Sequence, residues 1–444
     1  MGETQEVARH IVNLSYDKIP LRNLNDMKVL LLDYLGVALG GSQTESGRIA
    51  AEFARDSGEK AESTIIGYGY KASAQTAAFC NAILSHSIEL DDVDPLAFFH
   101  FAPPTFSAAL ALAERQKTSG EAFLTAVVAG CELVARLSNV TNPALRNRGF
   151  HTTPTCGVFG AAAAAGSILA LDEEKQTSAL GLAGAQASGL MEFYGVSMQK
   201  RINPAPAARG GVTAALLAQR GFTGAETILE GKWGFCRAFA DASDLSKLTE
   251  NLNKEFPIYI EYKPYACARP IHNAIDCALE IKKKHKIDTA NIKAISVRRH
   301  PDWASYHTTS EPRTYHEAQV SLPYSVAIAL VEGNALLEQY SEEKLRMPHV
   351  IALSKMVKIT SDSSLPRGVS CAMKIVMKDD TAYEAQVDYA KGSLENPMTD
   401  EEHKEKFRSL ASSVLSKQKV AQVIAMVNKF EELKDISELC KLIC

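Results

Sequence analysis

The sequence lacks the signals that announce the commonest site chemistries. None of its nine cysteines (Cys80, Cys131, Cys156, Cys236, Cys267, Cys277, Cys371, Cys440 and Cys444) forms a CxxC pair. A disulfide framework or zinc knuckle is therefore not expected, and buried free thiols in a reducing compartment are the default. There is no HExxH helix, no GxSxG elbow and no Walker lysine motif, and Gly67-Tyr68-Gly69 lacks the third glycine of the dinucleotide fingerprint. Charge of one sign is also missing: 48 Lys plus Arg stand against 52 Asp plus Glu, for a formal net charge of -4. That balance argues against a nucleic-acid footprint or a polybasic membrane patch. The N-terminus carries acids where a signal peptide needs a basic and then apolar start. The run from Gly157 to Leu171 is shorter than the roughly 20 residues that span a bilayer.

What is present is ample core material. The 444 residues are 46% hydrophobic, which excludes disorder of the whole and gives a prior of two or three domains. The expectation is a cytoplasmic, soluble globular enzyme with no membrane and no nucleic-acid partner.

From Leu21 to about Ala240 the period is helical. Met27, Leu30, Leu31, Tyr34 and Leu35 recur at spacings of three and four and form one apolar stripe, which Gly40-Gly41 is expected to end as a C-cap. Further helices are predicted at 51–55, 76–84, 105–115, 121–137, 157–171 and 211–221. The last two are built of Ala and Gly, which suits close backbone packing. Composition shifts near Glu255: Pro257 to Tyr262 reads as a strand, a helix follows at 272–284, then strands at 292–297 and 357–360. A hairpin is expected at 371–378 and 382–389 around Asp379-Asp380. The predicted fold is mainly α with an α+β lid: a helical domain over 1–262, a lid over 263–395, and C-terminal helices over 396–444 returning to the first domain.

Four clusters could carry chemistry. His86-Ser-Ile-Glu89-Leu-Asp91-Asp92-Val-Asp94 leads to His100, which sits among three phenylalanines. Carboxylates beside imidazoles can fix a tautomer or hold a divalent metal, and a desolvated histidine stays neutral as a base; a solvated acidic loop is the plain alternative. His151, with Thr152 and Thr153 at the start of the Ala-rich helix, suits an anion site or a simple cap. Lys200-Arg201 suits a carboxylate or an exposed basic turn. Lys263, Arg269 and His272 stand at the domain boundary, where ligand clefts are common. Cys267 there has no evident base.

These blocks resemble the MmgE/PrpD family over nearly the whole chain. The resemblance rests on Leu32-Asp33-Tyr34-Leu35-Gly36-Val37, the His86 block, Gly149-Phe-His-Thr-Thr-Pro-Thr-Cys-Gly-Val-Phe-Gly, Thr227 to Phe235, Lys263-Pro-Tyr-Ala-Cys-Ala-Arg-Pro-Ile-His, Ser321-Leu-Pro-Tyr and Lys391 to Pro397. It implies a helical domain with an α+β lid, a homodimer, and a site in the cleft that needs no organic cofactor and no metal. The family includes 2-methylcitrate dehydratase, cis-aconitate decarboxylase and iminodisuccinate epimerase, which move a proton beside a carboxylate of a small di- or tricarboxylate. The resemblance carries over the Glu89/Asp91/Asp92 block, His100, His151, Lys200, Lys263, His272 and Tyr324. Thr152, Arg201 and Arg269 join them as candidate carboxylate contacts. Such a site must stabilise an enediolate with fixed cations, for which Lys200, Lys263 and Arg269 are the candidates, with His100 and His151 moving the proton.

The sequence departs from the family pattern at His100-Phe101-Ala102, at Glu89-Leu90 and at Asn203 to Ala208. These departures, with a chain somewhat shorter than the dehydratase and decarboxylase branches usually have, lead us to expect an epimerase, with a dehydratase or decarboxylase as the alternative. A catalytically dead binding protein and a metal-dependent hydrolase are further alternatives.

Overall fold

The computed structural model describes residues 2–193, 197–241 and 244–444. Two apolar cores organise it. The first is drawn from helices including Leu21–Ser42, Ala74–Leu84, Ala102–Gln116, Gly120–Thr141, Thr152–Ile168 and Pro204–Gln219. It also takes in Phe407, Val423, Phe430 and Leu439 near the C-terminus, so the last helices close on the first ones. The second core is smaller and gathers His272–His285, Leu322–Glu332, Pro348–Met356 and a four-stranded sheet. The architecture is mainly helical with an α+β unit, as the sequence predicts.

The sheet runs in the order Val357–Ser361, Ile292–Arg299, Cys371–Met377, Ala382–Val387. Its first pair is parallel and the other two antiparallel, so the expected hairpin around Asp379-Asp380 is present. The β-branched run 257–262 is not a strand; Glu261 makes one isolated bridge with Val93.

Within the helical core, glycine serves close approach, whereas Gly333 at φ +76° ends helix Leu322–Glu332. Helix Leu21–Ser42 runs through Gly40-Gly41, against the expected cap. A Cβ at Gly41 would lie 1.9 Å from the Leu84 carbonyl oxygen, so this glycine lets two helices touch backbone to backbone. The Ala/Gly helices pack as predicted: a Cβ on Gly211 would fall 2.4 Å from that of Ala161, and one on Gly160 2.2 Å from a Val134 methyl. Helix Gly120–Thr141 is long and apolar enough to cross a bilayer, which the sequence reading had not noticed. Here 89% of its most apolar window is buried in protein, as befits a core helix.

Candidate active site

The segment between helices Ala74–Leu84 and Ala102–Gln116 builds the site because both cores pull on it. Ile88 and Leu90 enter the lid core, whereas Phe99 and Phe101 enter the helical core. Glu89 and Asp91 between them turn instead to the Lys263 ammonium. Glu89 adopts φ +56°, a left-handed conformation rare for a side chain of this kind and typical of functional sites.

Glu89 is ion-paired with Lys200 and Arg201, the latter at 2.5 Å, and lies 3.5 Å from Lys263 Nζ. Burial would raise its pKa, but Lys200, Lys263 and Arg201 hold it well below the usual carboxylate range. Asp91 Oδ2 accepts from Nδ1 of His86 at 2.7 Å and of His100 at 2.9 Å, while Oδ1 is 3.5 Å from Lys263 Nζ. Against the same burial, the two rings and Lys263 keep Asp91 well below its ordinary range. Lys263 is 2% exposed. Desolvation works against its charge, but Asp91 and Glu89 raise its pKa above the usual value, so it stays an ammonium.

His100 Nδ1 also contacts the Asp92 carbonyl. That nitrogen is taken, which leaves Nε2 for the cavity that His100 lines. Thr153 at the start of the Ala-rich helix receives the His100 backbone N–H at 3.1 Å. His151 lines the same cavity beside the Phe193 ring. Burial, then His86, His100 and Lys200, push its pKa well down, so it is neutral at ordinary pH.

The inner cavity is about 70 Å³ and adjoins a cleft of about 750 Å³ between the helical part and the lid. Phe98, Arg146, Met191, Arg269 and Trp303 line both spaces, so they form the passage. The Phe98 and Trp303 rings meet edge to face at 5.9 Å, and Arg146 lies 5.6 Å over Phe98. Lys200, Lys263, Arg146 and Arg269 line the inner cavity together with Glu89 and the apolar Val93, Phe98, Phe193 and Trp303. Arg269 is paired with Glu261 at 2.8 Å.

Not every expected residue reaches this cavity. Arg201 stands behind Glu89 and bonds Gln319 and His316, buttressing the glutamate instead of meeting a ligand. Asp92 accepts the N–H groups of Phe101 and Ala102, so it caps a helix start; burial raises its pKa to about 7. Thr152 Oγ1 is bonded to Asn142 Oδ1. His272 is buried between Arg269 and the Cys267 carbonyl. The Tyr324 hydroxyl donates to the Gln339 carbonyl at 2.6 Å inside the lid core. Sequence reading assigned no role to Arg146, Trp303 and His307, which line the cavity. The one clue was that Trp303 is one of only two tryptophans.

His86, Asp91 and His100 carry donor atoms within 4.8 Å of one another and could hold a metal ion. As placed, Asp91 Oδ2 already serves both Nδ1 atoms and Oδ1 faces the Lys263 ammonium. A cation there would displace those bonds and meet a like charge, so the donor set fits a paired histidine better than a metal.

The chain is 31% identical to the cis-aconitate decarboxylase-like protein oryM of Aspergillus oryzae, over 99% of this chain and 97% of the relative. It is 28% identical to cis-aconitate decarboxylase of Aspergillus terreus, over 100% and 96%. The corresponding figures for cis-aconitate decarboxylase of Homo sapiens are 28%, 99% and 94%. Residues 5–248 match the MmgE/PrpD N-terminal domain and residues 265–432 the MmgE/PrpD C-terminal domain. On these two matches, which together cover most of its length, the chain belongs to the MmgE/PrpD family.

Proposed function

We propose that this enzyme is a cofactor-independent lyase that decarboxylates a small tricarboxylate of the cis-aconitate type. The observation that carries the reading is a histidine-lined cavity that four cationic side chains share with aromatic and aliphatic groups. Relatives named as cis-aconitate decarboxylases support this lyase over the epimerase expected from the sequence.

Two carboxylates of the substrate rest against Lys200, Lys263 and Arg269 through charge-assisted bonds. The third lies toward Phe98, Phe193 and Trp303, where loss of its charge as carbon dioxide is favoured by the apolar surroundings. Its C–C bond breaks, and the electron pair forms the new double bond. The old double bond takes a proton at the carbon beside a retained carboxylate, so one proton is consumed for each carbon dioxide released. His100, with Asp91 behind it to balance the charge its ring carries with a proton, delivers that proton. His151, kept neutral, accepts a hydrogen bond from the substrate or a water. A homodimer in the cytoplasm is part of the same proposal, tested by light scattering and by cell fractionation.

The test is proton NMR in heavy water with cis-aconitate, citrate, 2-methylcitrate and iminodisuccinate and no added cofactor. New exo-methylene signals with one deuterium in the neighbouring methylene are expected from cis-aconitate. Deuterium exchange without loss of substrate would mark an epimerase instead, and silence with cis-aconitate would sink the decarboxylase. In the same assay, His100→Ala is expected to lower kcat by about 100-fold or more; a near-normal rate would remove His100 from the proton transfer.

A further inference from the structure

The loop that follows strand Ile292–Arg299 delivers one imidazole, His307, from the lid to the inner cavity. Its position is built, not incidental. Arg299, 2% exposed, donates to the carbonyls of Trp303 at 2.7 Å, Tyr306 at 3.0 Å and Pro270 at 2.7 Å. The Leu322 N–H donates to the His307 carbonyl at 2.9 Å, holding the other side. The His307 ring stacks on Trp303 at 5.7 Å and 14°, and its ring nitrogens are withdrawn from solvent. Most telling is the backbone. Glu89, Phe98 and His307 are non-glycine residues with φ of +56°, +52° and +61°, and all three line this one cavity. Left-handed side-chain residues each cost on the order of 1 kcal/mol and persist where the surroundings over-determine them, as at active sites.

We propose that His307 is a further catalytic residue, its imidazole N–H donating to the substrate carboxylate beside the carbon that takes the proton. The proposal rests on the decarboxylase reading and adds a donor from the lid to a cavity whose other imidazoles come from the helical part. Burial, then Arg299 and Lys200, lower the His307 pKa to about 3, so the ring is neutral. A neutral donor can hydrogen-bond the charge that builds on this carboxylate as the enediolate forms, without placing a further cation beside Arg299 and Lys200.

The experiment pairs His307→Phe, which keeps the stack on Trp303 but has no N–H, with His307→Gln, which keeps an N–H but loses the ring. Rates on cis-aconitate and calorimetric binding of cis-aconitate are read for both variants and for the unaltered enzyme. His307→Phe is expected to lower kcat about 100-fold and to weaken binding about tenfold. His307→Gln is expected to keep the larger share of both. A packing role predicts the reverse order, and Phe matching or exceeding Gln overturns the proposal. Failure of the unaltered enzyme to consume cis-aconitate would defeat the decarboxylase reading alone, since the order of the two binding affinities still decides the role of His307.

Discussion

Lys200 and Lys263 address the same glutamate but differ in depth, so that the fold as well as the substrate depends on Lys263, and the fold depends much less on Lys200. The Lys263 side chain is 2% exposed and lies between Glu89 and Asp91, whereas that of Lys200 keeps 20% exposure at the cavity. Removing Lys263 leaves two buried carboxylates facing each other without their shared cation. Lys263→Met should cost about 3–5 kcal/mol of stability, visible as a lower urea midpoint, and a midpoint unchanged within error would refute the buried ion cluster. Glu89 retains Arg201 and Lys263 when Lys200 is lost, so Lys200→Ala should fold normally and raise KM for a tricarboxylate roughly tenfold. An unaltered KM would place Lys200 outside the binding site. Asp91→Asn keeps the shape but not the charge that backs His100, and a fall in kcat of about 100-fold is expected with KM little changed.

At the scale of elements, the glycines of Leu21–Ser42 show what one side of an interface can and cannot announce. Gly40-Gly41 has the composition of a helix end, but the helix continues to Ser42 because Leu84 approaches its backbone. Gly41→Ala should therefore destabilise by about 2 kcal/mol or more through overpacking, although alanine is the better helix former. A rise in the thermal midpoint would restore the capping reading. The helical stripes, the hairpin and the Ala/Gly packing were legible because each is set by a local period. The run 257–262 was not: its apolar side chains suit a strand, but the sheet orders four other segments and leaves Glu261 a single bridge to Val93. Site residues divide in the same way. Glu89, Asp91, His100, His151, Lys200, Lys263 and Arg269 were readable as charged or imidazole groups in apolar or turn-rich blocks. The blocks could not say which way each side chain faces, so His272 and Tyr324, embedded in equally suggestive blocks, turn out to bond within the lid. His307 and Trp303 lie in a loop with no periodic signal, and they reach the cavity only because Arg299 clamps that loop from a strand.

Across the whole molecule, the fold keeps a set of largely buried histidines uncharged, and this sets how stability depends on pH. Burial is the leading cause in each case. It lowers His86, His316 and His403 to about 4 and His307 to about 3, and takes His151 and His272 well below their ordinary value. An unfolded chain binds protons at these six positions near pH 6.5, whereas the folded chain does not. The unfolded state therefore holds more protons as pH falls, and stability falls with it. Acids with raised values act in the opposite sense. Burial brings Asp92 to about 7 and Asp94 to about 6, and also raises Asp26, Asp33 and Asp276. Their stabilisation is present at low pH and is lost as pH rises through the folded values. Between pH 7 and pH 5 the histidines are the larger set, and wholly buried His86 alone contributes on the order of 2 kcal/mol over that span. The thermal midpoint should therefore drop on acidification from pH 7 to pH 5, and fall further below about pH 4.5 as Glu89 and Asp91, both held well below their usual range, lose their ion pairs. Calorimetric scans at half-unit intervals measure this directly. A midpoint flat or rising from pH 7 to pH 5 would mean that these histidines are hydrated, and hydration of His151 and His307 would remove the apolar surroundings on which expulsion of carbon dioxide depends.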